Sequence, residues 1–149
     1  MLTLNSWLLV NLCAFCILVS CNSEKSPKSL VNQNETLQII QTVFSDSSLD
    51  SLIRSLDKRA RVQLVRGSSV EANMKVVFRG QVLPIMRPKD AELANTSHEA
   101  LLPVWVTVKK YKADTIAVYL HETRYNNTPT YFLVKKGAWI VIAKAFGKT

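Results

Sequence analysis

Four side chains in the last third of the sequence carry groups that could bind or protonate a ligand. They are Tyr119, His121, Glu122 and Tyr131. An acid–base site needs a carboxylate or imidazole within hydrogen-bonding distance of the reacting atom. Nothing in the spacing of these four residues fixes such a geometry. We therefore predict them as ligand-binding candidates and assign no catalytic residue.

The two histidines do not form a metal-binding motif. His98 and His121 are each followed by glutamate, but the His-Glu-x-x-His pattern fails because Leu102 and Tyr125 occupy the last position. The sequence also has no P-loop, no Gly-x-Ser-x-Gly and no dinucleotide fingerprint. We expect no metal, no cofactor and a protein that is not an enzyme.

The cysteines are confined to the start of the chain. Cys13, Cys16 and Cys21 are the three cysteines of the sequence, and the 128 residues that follow Cys21 contain none. A disulfide framework or a thiolate zinc site is therefore excluded from that later part. A chain of 149 residues suits one domain, which must fold on its hydrophobic core alone.

Residues 1–20 have the length and apolar content of an export signal. Asn5 and Asn11 make this segment a poor spanning helix. The stretch from Leu18 to Cys21, Leu-Val-Ser-Cys, resembles the lipobox of bacterial lipoproteins. That resemblance implies cleavage before Cys21, a diacylglycerol thioether on its sulfur and an amide-linked chain such as palmitate.

One feature departs from the lipoprotein pattern. Residues 1–7 contain neither Lys nor Arg, although export signals normally open with a basic residue. Either a start codon upstream supplies that residue, or the signal works with a weakly charged amino-terminal region. A simple secretory signal and an uncleaved anchor remain the alternatives to a lipoprotein signal.

The residues after Cys21 bear on the destination. Residues 22–25 resemble the charged surface-export signals of some Bacteroidota lipoproteins, and Asn22 stands where Asp would indicate inner-membrane retention. We therefore expect a lipid-anchored protein of the cell envelope, on the outer rather than the inner membrane. Whether it faces the periplasm or the exterior is left open. The polar run makes 21–35 a predicted flexible tether that carries the lipidated cysteine.

All charged residues follow Cys21 and give a net charge of +8. This excess favours contact with anionic lipid or glycan. No nucleic-acid motif accompanies the charge, and an envelope address argues against nucleic acid as a partner.

Hydrophobic spacing predicts that the domain, residues 36–149, opens with two helices. Leu37, Ile40, Val43 and Phe44 recur at helical intervals over residues 36–46. A second apolar stripe runs from Leu49 to Leu56, and we predict Ser47 as its N-cap with Asp50 completing a capping box.

The remaining residues alternate with a period of two, which predicts strands. We expect strands over 61–66 and 73–86, a short helix over 89–94, and then a four-stranded antiparallel meander. Both faces of the last strand are apolar, so we expect it to be covered twice, with Trp139, Val141 and Ala143 on one buried face. The meander strands are predicted at Val104–Tyr111, Thr115–Thr123, Thr130–Lys136 and Ala138–Phe146.

The predicted class is α+β, with two amino-terminal helices packed on a curved, mainly antiparallel sheet. The element order over 36–146 resembles the nuclear transport factor and ketosteroid isomerase superfamily. A cystatin-like or other α+β sheet is the competing fold. We predict a non-catalytic envelope lipoprotein that binds a protein or small ligand near the membrane. The alternatives are a small-molecule enzyme with a pocket and an inhibitor or immunity-type protein. Ligand identity and oligomeric state are left open.

Overall fold

The computed structural model describes residues 31–96 and 100–148, which form an α+β domain with a mainly antiparallel sheet, as predicted. Cys21, the export signal, most of the predicted tether and His98 lie outside the described residues. The helices are α1 (Gln33–Phe44), α2 (Ser47–Leu56) and α3 (Pro88–Thr96). The strands are β1 (Arg61–Val65), β2 (Val77–Phe78), β3 (Gln81–Val82), β4 (Ile85–Met86), β5 (Leu101–Lys110), β6 (Thr115–Glu122), β7 (Asn127–Lys136) and β8 (Ala138–Lys148).

Both amino-terminal helices begin at side-chain caps. Asn32 accepts a hydrogen bond from the backbone N–H of Glu35, so α1 begins one turn earlier than predicted. The cap of α2 is Asp46 and not Ser47, because Asp46 has extended backbone angles and accepts the N–H of Ser48 at 2.9 Å. Ser47 is already the first helical residue, so its side chain is one position too late to cap.

The Asp46 carboxylate also connects α2 to the last strand, since Lys144 of β8 donates to it at 2.8 Å. Burial acts to raise the pKa of Asp46. The hydrogen bonds from Lys144 and Ser48 outweigh that effect and hold the pKa below its usual value. The folded state therefore favours the ionised carboxylate.

We expect Asp46→Ala to lower the free energy of unfolding by about 0.5–2 kcal/mol at neutral pH. Because the folded pKa is depressed, this contribution is present above about pH 4 and is lost as the pH falls further. Urea denaturation at pH 7 and near pH 3 measures both effects. Ser47→Ala is the matched control and should change little. An equal loss in the two variants would contradict the assignment of Asp46 as the cap.

The six-stranded sheet has the order β4-β1-β5-β6-β7-β8. β1 is parallel to both β4 and β5, and each strand from β5 to β8 is antiparallel to the next. The strand predicted over 73–86 is instead three short strands, and β2 pairs only with β3. A turn at Arg79 and Gly80, which both have positive φ, interrupts the predicted strand. Pro84 interrupts it again, because proline has no N–H to donate to a neighbouring strand.

The main core lies between the sheet and the two helices α1 and α2. Its largest fully buried members include Ile39 and Ile40 of α1 and Leu64, Leu120 and Tyr131 of the sheet. Helix α3 contacts β5, and its buried residues do not belong to this core. Its main contact with the sheet is to β5, whereas the helix that contacts β6 and β8 is α1, so the β6–β8 side of the opposite face carries no helix among the described residues.

The prediction that β8 is covered twice is wrong. It is an edge strand, and Ile140 and Ile142 are 39% and 53% exposed. Phe132 pairs with Ala143 and Leu133 with Val141, which leaves Ile142 unpaired in a β-bulge. The bulge shifts the alternation by one residue, so Ala143 shares its face with Ile140 and not with Trp139.

Trp139 faces the helices but is only half-buried at the edge of the main core. The prediction that Trp139 lies inside a strand covered on both faces is therefore wrong. No helix in the described residues is long and apolar enough to span a membrane.

Candidate functional site

The four predicted ligand-binding side chains do not form one cluster. Glu122 and Tyr131 point into the main core, whereas Tyr119 and His121 lie on the opposite face of the sheet. Side chains alternate along a strand, so adjacent residues such as His121 and Glu122 cannot share a face. Tyr119 is separated by the sheet from Glu122 and Tyr131, so these three side chains cannot act together on one ligand as an acid–base group.

Glu122 is 4% exposed and its carboxylate is occupied by the β6–β7 turn. Its two oxygens accept the backbone N–H groups of Arg124 and Tyr125, the latter at 2.9 Å. A buried carboxylate that satisfies two turn amides stabilises the hairpin. The geometry gives Glu122 a structural task in this turn.

Tyr131 is fully buried in the middle of β7, and its hydroxyl lies 3.4 Å from the Ser48 hydroxyl of α2. Burial raises the pKa of Tyr131 above its usual value. The neutral phenol therefore serves as a core side chain with one polar contact to the neighbouring helix.

Three half-buried aromatic side chains, Trp105, Tyr119 and Phe132, share the sheet face opposite the main core, which we call the open face. Register places Thr107 beside Tyr119, Tyr119 beside Thr130, and Phe132 between Ala117 and Ala143. The open face consists of Trp105, Thr107, Lys109, Tyr119, His121, Thr130, Phe132, Ile140, Ala143 and Ala145.

Ring contacts hold the aromatic groups of the open face in place. The rings of Trp105 and His121 lie 6.2 Å apart, and Phe132 meets Tyr111 edge-on at 4.9 Å. The ammonium of Lys109 lies 5.9 Å from the ring centre of Tyr119. The aromatic side chains that make these contacts are half-buried on the surface of the sheet.

Sequence reasoning identified Tyr119 and His121 but missed Trp105 and Phe132. The signal is present in β5, where two-residue alternation places Val104, Val106 and Val108 on one face. The same alternation places Trp105 and Thr107 on the other face. What the pattern could not show is that, in the described part of the chain, no helix covers the β6–β8 side of this face.

The charge of the open face is one-sided. Lys109 lies on it and Lys136 borders it, and among the described residues no carboxylate points from these four strands to this face. A face that is aromatic, uncharged at its centre and basic at its border complements a neutral or acidic partner.

The cavities of the described part of the chain offer little enclosed space. The recess between α2 and the sheet, which Glu122 and Asn127 line together with apolar side chains, measures about 20 Å³. That volume is close to the size of one water molecule. A larger polar groove of about 540 Å³ opens between Asp46, Asp50 and Arg79.

The acids in this groove are held in ion pairs. Asp50 accepts hydrogen bonds from Arg79 and Arg54, which lower its pKa, and Asp46 is paired with Lys144. General acids and bases work best with a pKa near the working pH. Within residues 31–96 and 100–148, no three metal-ligating side chains gather.

The comparisons with known proteins yield no match among protein-family models, curated proteins or solved structures. The resemblance to the nuclear transport factor superfamily and the lipoprotein interpretation therefore stay predictions.

Proposed function

We propose that this chain is a lipid-anchored protein of the bacterial cell envelope, not an enzyme, whose domain binds another protein through the open face. The observation that carries the proposal is the pair of half-buried aromatic side chains Tyr119 and Phe132 on the part of the sheet that no described helix covers, with Trp105 on the same face of the neighbouring strand β5. The outward face of such a sheet is commonly polar. Exposed apolar patches, especially aromatic ones, mark interaction sites.

A protein partner suits this surface better than a small ligand does. Small molecules bind in recesses of a few hundred Å³ that enclose most of their surface. The recess beside Glu122 is about 20 Å³, and the 540 Å³ groove beside Asp46 is open to solvent and encloses little of a ligand, whereas the open face extends across four strands. The absence of carboxylates on this part of the described sheet favours a partner with an acidic contact surface.

An inhibitor or immunity-type role is the second candidate. Proteins of that kind cover a surface of their target, and a flat aromatic face fits this task. A small-molecule enzyme has less support, because Glu122 is bound to turn amides and Asp46 and Asp50 are bound to cations.

The proposal predicts that the open face contacts its partner in intact cells. A photo-crosslinking amino acid at Thr107 should yield one discrete protein adduct, while the same group at Ser51 of α2 should yield none. The Thr130→Glu change should weaken adduct formation by about tenfold or more, because it places a negative charge against an acidic partner.

Thr130→Lys is the matched control and should keep the adduct, since it adds a side chain of similar length with the favourable charge. Melting temperatures of both variants establish that they fold. Adducts from Ser51 alone, or an equal loss in the Glu and Lys variants, would contradict a binding role for this face.

A further inference from the structure

We propose that one end of the sheet docks on anionic lipid head groups of the membrane that holds the chain. This inference rests on the lipid anchor proposed above. We call this surface the basic end, and it consists of Lys75, Lys109, Lys110, Lys112, Lys135 and Lys136.

Two neighbouring turns bring these lysines together. The β5–β6 turn follows Lys110, which pairs with Ile116, and the β7–β8 turn follows Lys136, which pairs with Ala138. Because β5 to β8 are consecutive antiparallel strands, both turns lie at the same end of the sheet. Lys75 lines a surface groove with Ala138 and Trp139 at that end.

The charge of the basic end is largely uncompensated. Of the nearby carboxylates, Glu35 is bound to Lys135, and Glu71 accepts a hydrogen bond from Gln33. Asp114 lies in the β5–β6 turn. Among the described residues, Lys110, Lys112 and Lys136 form no ion pair. Clusters of exposed lysines attract anionic lipid surfaces.

Aromatic side chains accompany the lysines. Tyr111 is 53% exposed with Lys112 at 5.5 Å from its ring centre, and Lys135 lies 5.7 Å from the ring of Trp139. Tyrosine and tryptophan favour the head-group region, where one part of the side chain is apolar and the other is wet. The basic end therefore combines both residue types that a membrane surface retains.

The path of the chain selects a membrane over other polyanions. Glu35 in the first turn of α1 is bound to Lys135 at 2.6 Å, so the chain enters the domain beside the basic end. Ten residues lie between Cys21 and Asn32, so the Cα atoms of these two residues can be at most about 40 Å apart. A lipid on Cys21 thus holds the basic end near the bilayer.

Docking in this way would direct the strands away from the membrane and leave the open face accessible from the side. The opposite end of the sheet, where β1 begins beside Leu101, supplies an internal comparison. It carries Lys58, Arg59 and Arg61, which are also exposed. Reversing the same number of charges at each end distinguishes the effect of local contact with lipid from the effect of the net charge of the chain.

The test uses the full chain with a fluorophore sensitive to its surroundings on Ala113→Cys at the tip of the β5–β6 turn. Vesicles of phosphatidylcholine alone are compared with vesicles that also contain phosphatidylglycerol. We expect a blue shift and quenching by head-group-labelled lipid only with phosphatidylglycerol, and a loss of both at high salt. A label on Ser55→Cys at the opposite end should not respond.

Reversing Lys110, Lys112 and Lys136 to Glu should weaken docking by about tenfold or more, whereas reversing Lys58, Arg59 and Arg61 should leave it nearly unchanged. An equal response to both lipid compositions, or an equal loss in the two triple variants, would overturn the proposal. So would binding of a soluble polyanion without any response to anionic vesicles, which would assign the basic end to a glycan or acidic protein.

Intact mass of the same sample separates the two proposals. If the chain is lipidated but its fluorescence does not depend on the vesicle composition, the anchor proposal stands and the docking proposal is overturned. If the chain is not lipidated but its fluorescence still responds to phosphatidylglycerol, the docking proposal stands and the anchor proposal is contradicted.

Discussion

Replacing Tyr131 with alanine is expected to lower the free energy of unfolding by about 3–5 kcal/mol, which is the usual range for a buried aromatic residue. Tyr131 has no exposed surface, packs between α2 and the sheet, and meets Phe146 edge-on at 6.4 Å. A domain of this size has a total stability on the order of 5–15 kcal/mol. The variant should therefore be unfolded or close to unfolding at 37 °C.

Urea denaturation followed by circular dichroism measures this loss, and Trp139→Ala is the comparison. Trp139 is also aromatic, but it is half-buried on an edge strand, and its indole N–H finds no acceptor among the described residues. Its truncation should cost clearly less than that of Tyr131. A larger loss for Trp139 would contradict the position of β8 at the sheet edge.

Tyr131→Phe separates the ring from its hydroxyl. The change gives up only the 3.4 Å contact with Ser48, so we expect a loss of about 1 kcal/mol or less. Because burial raises the pKa of Tyr131, the unfolded chain loses its proton first as the pH rises above about 10. Stability should fall there, and Tyr131→Phe should reduce that fall.

Replacing Cys21 with serine is expected to abolish lipidation completely. The hydroxyl of serine does not replace the thiol that accepts the diacylglyceryl group in the lipoprotein pattern, so the chain should remain an unprocessed precursor. Stable membrane attachment needs two acyl chains, each buried CH₂ contributing about 0.8 kcal/mol. We therefore expect the wild-type chain to be anchored to the membrane by its lipid and the Cys21→Ser chain to lack that lipid anchor.

Incorporation of labelled palmitate and the intact mass of the amino terminus measure this result. Cys16→Ser is the matched control, because the lipoprotein proposal places Cys16 in the segment that cleavage would remove, and this change should leave lipidation unchanged. A mature start elsewhere, or palmitate retained in the Cys21→Ser chain, would contradict the lipoprotein proposal.

Local sequence signals determined the secondary structure of this protein. The two-residue alternation and the short turns located the last four strands with nearly correct bounds, and the apolar stripes located α1 and α2. The class was predictable for the same reason, since helices followed by an antiparallel sheet have few ways to bury their apolar faces. The confinement of cysteine to the first 21 residues excluded disulfides from the domain.

The wrong structural predictions arose where one local sequence pattern is compatible with two different structures. The capping-box spacing predicted Ser47 as the cap of α2, whereas the backbone angles and the hydrogen bond from Ser48 place the cap at Asp46. The alternation in β8 appeared regular because an unpaired residue such as Ile142 leaves no mark in the sequence. A single bulge then moved Ala143 to the other face.

The candidate sites were decided by tertiary structure. Alternation alone separates Tyr119 and His121 from Glu122, but the face that receives a helix depends on how α1, α2 and α3 pack. The sequence likewise lists its lysines without showing that two turns and the start of α1 meet at one end. Side-chain periodicity is a local property of the backbone, whereas coverage and charge clustering arise from contacts between residues as far apart as Glu35 and Lys135.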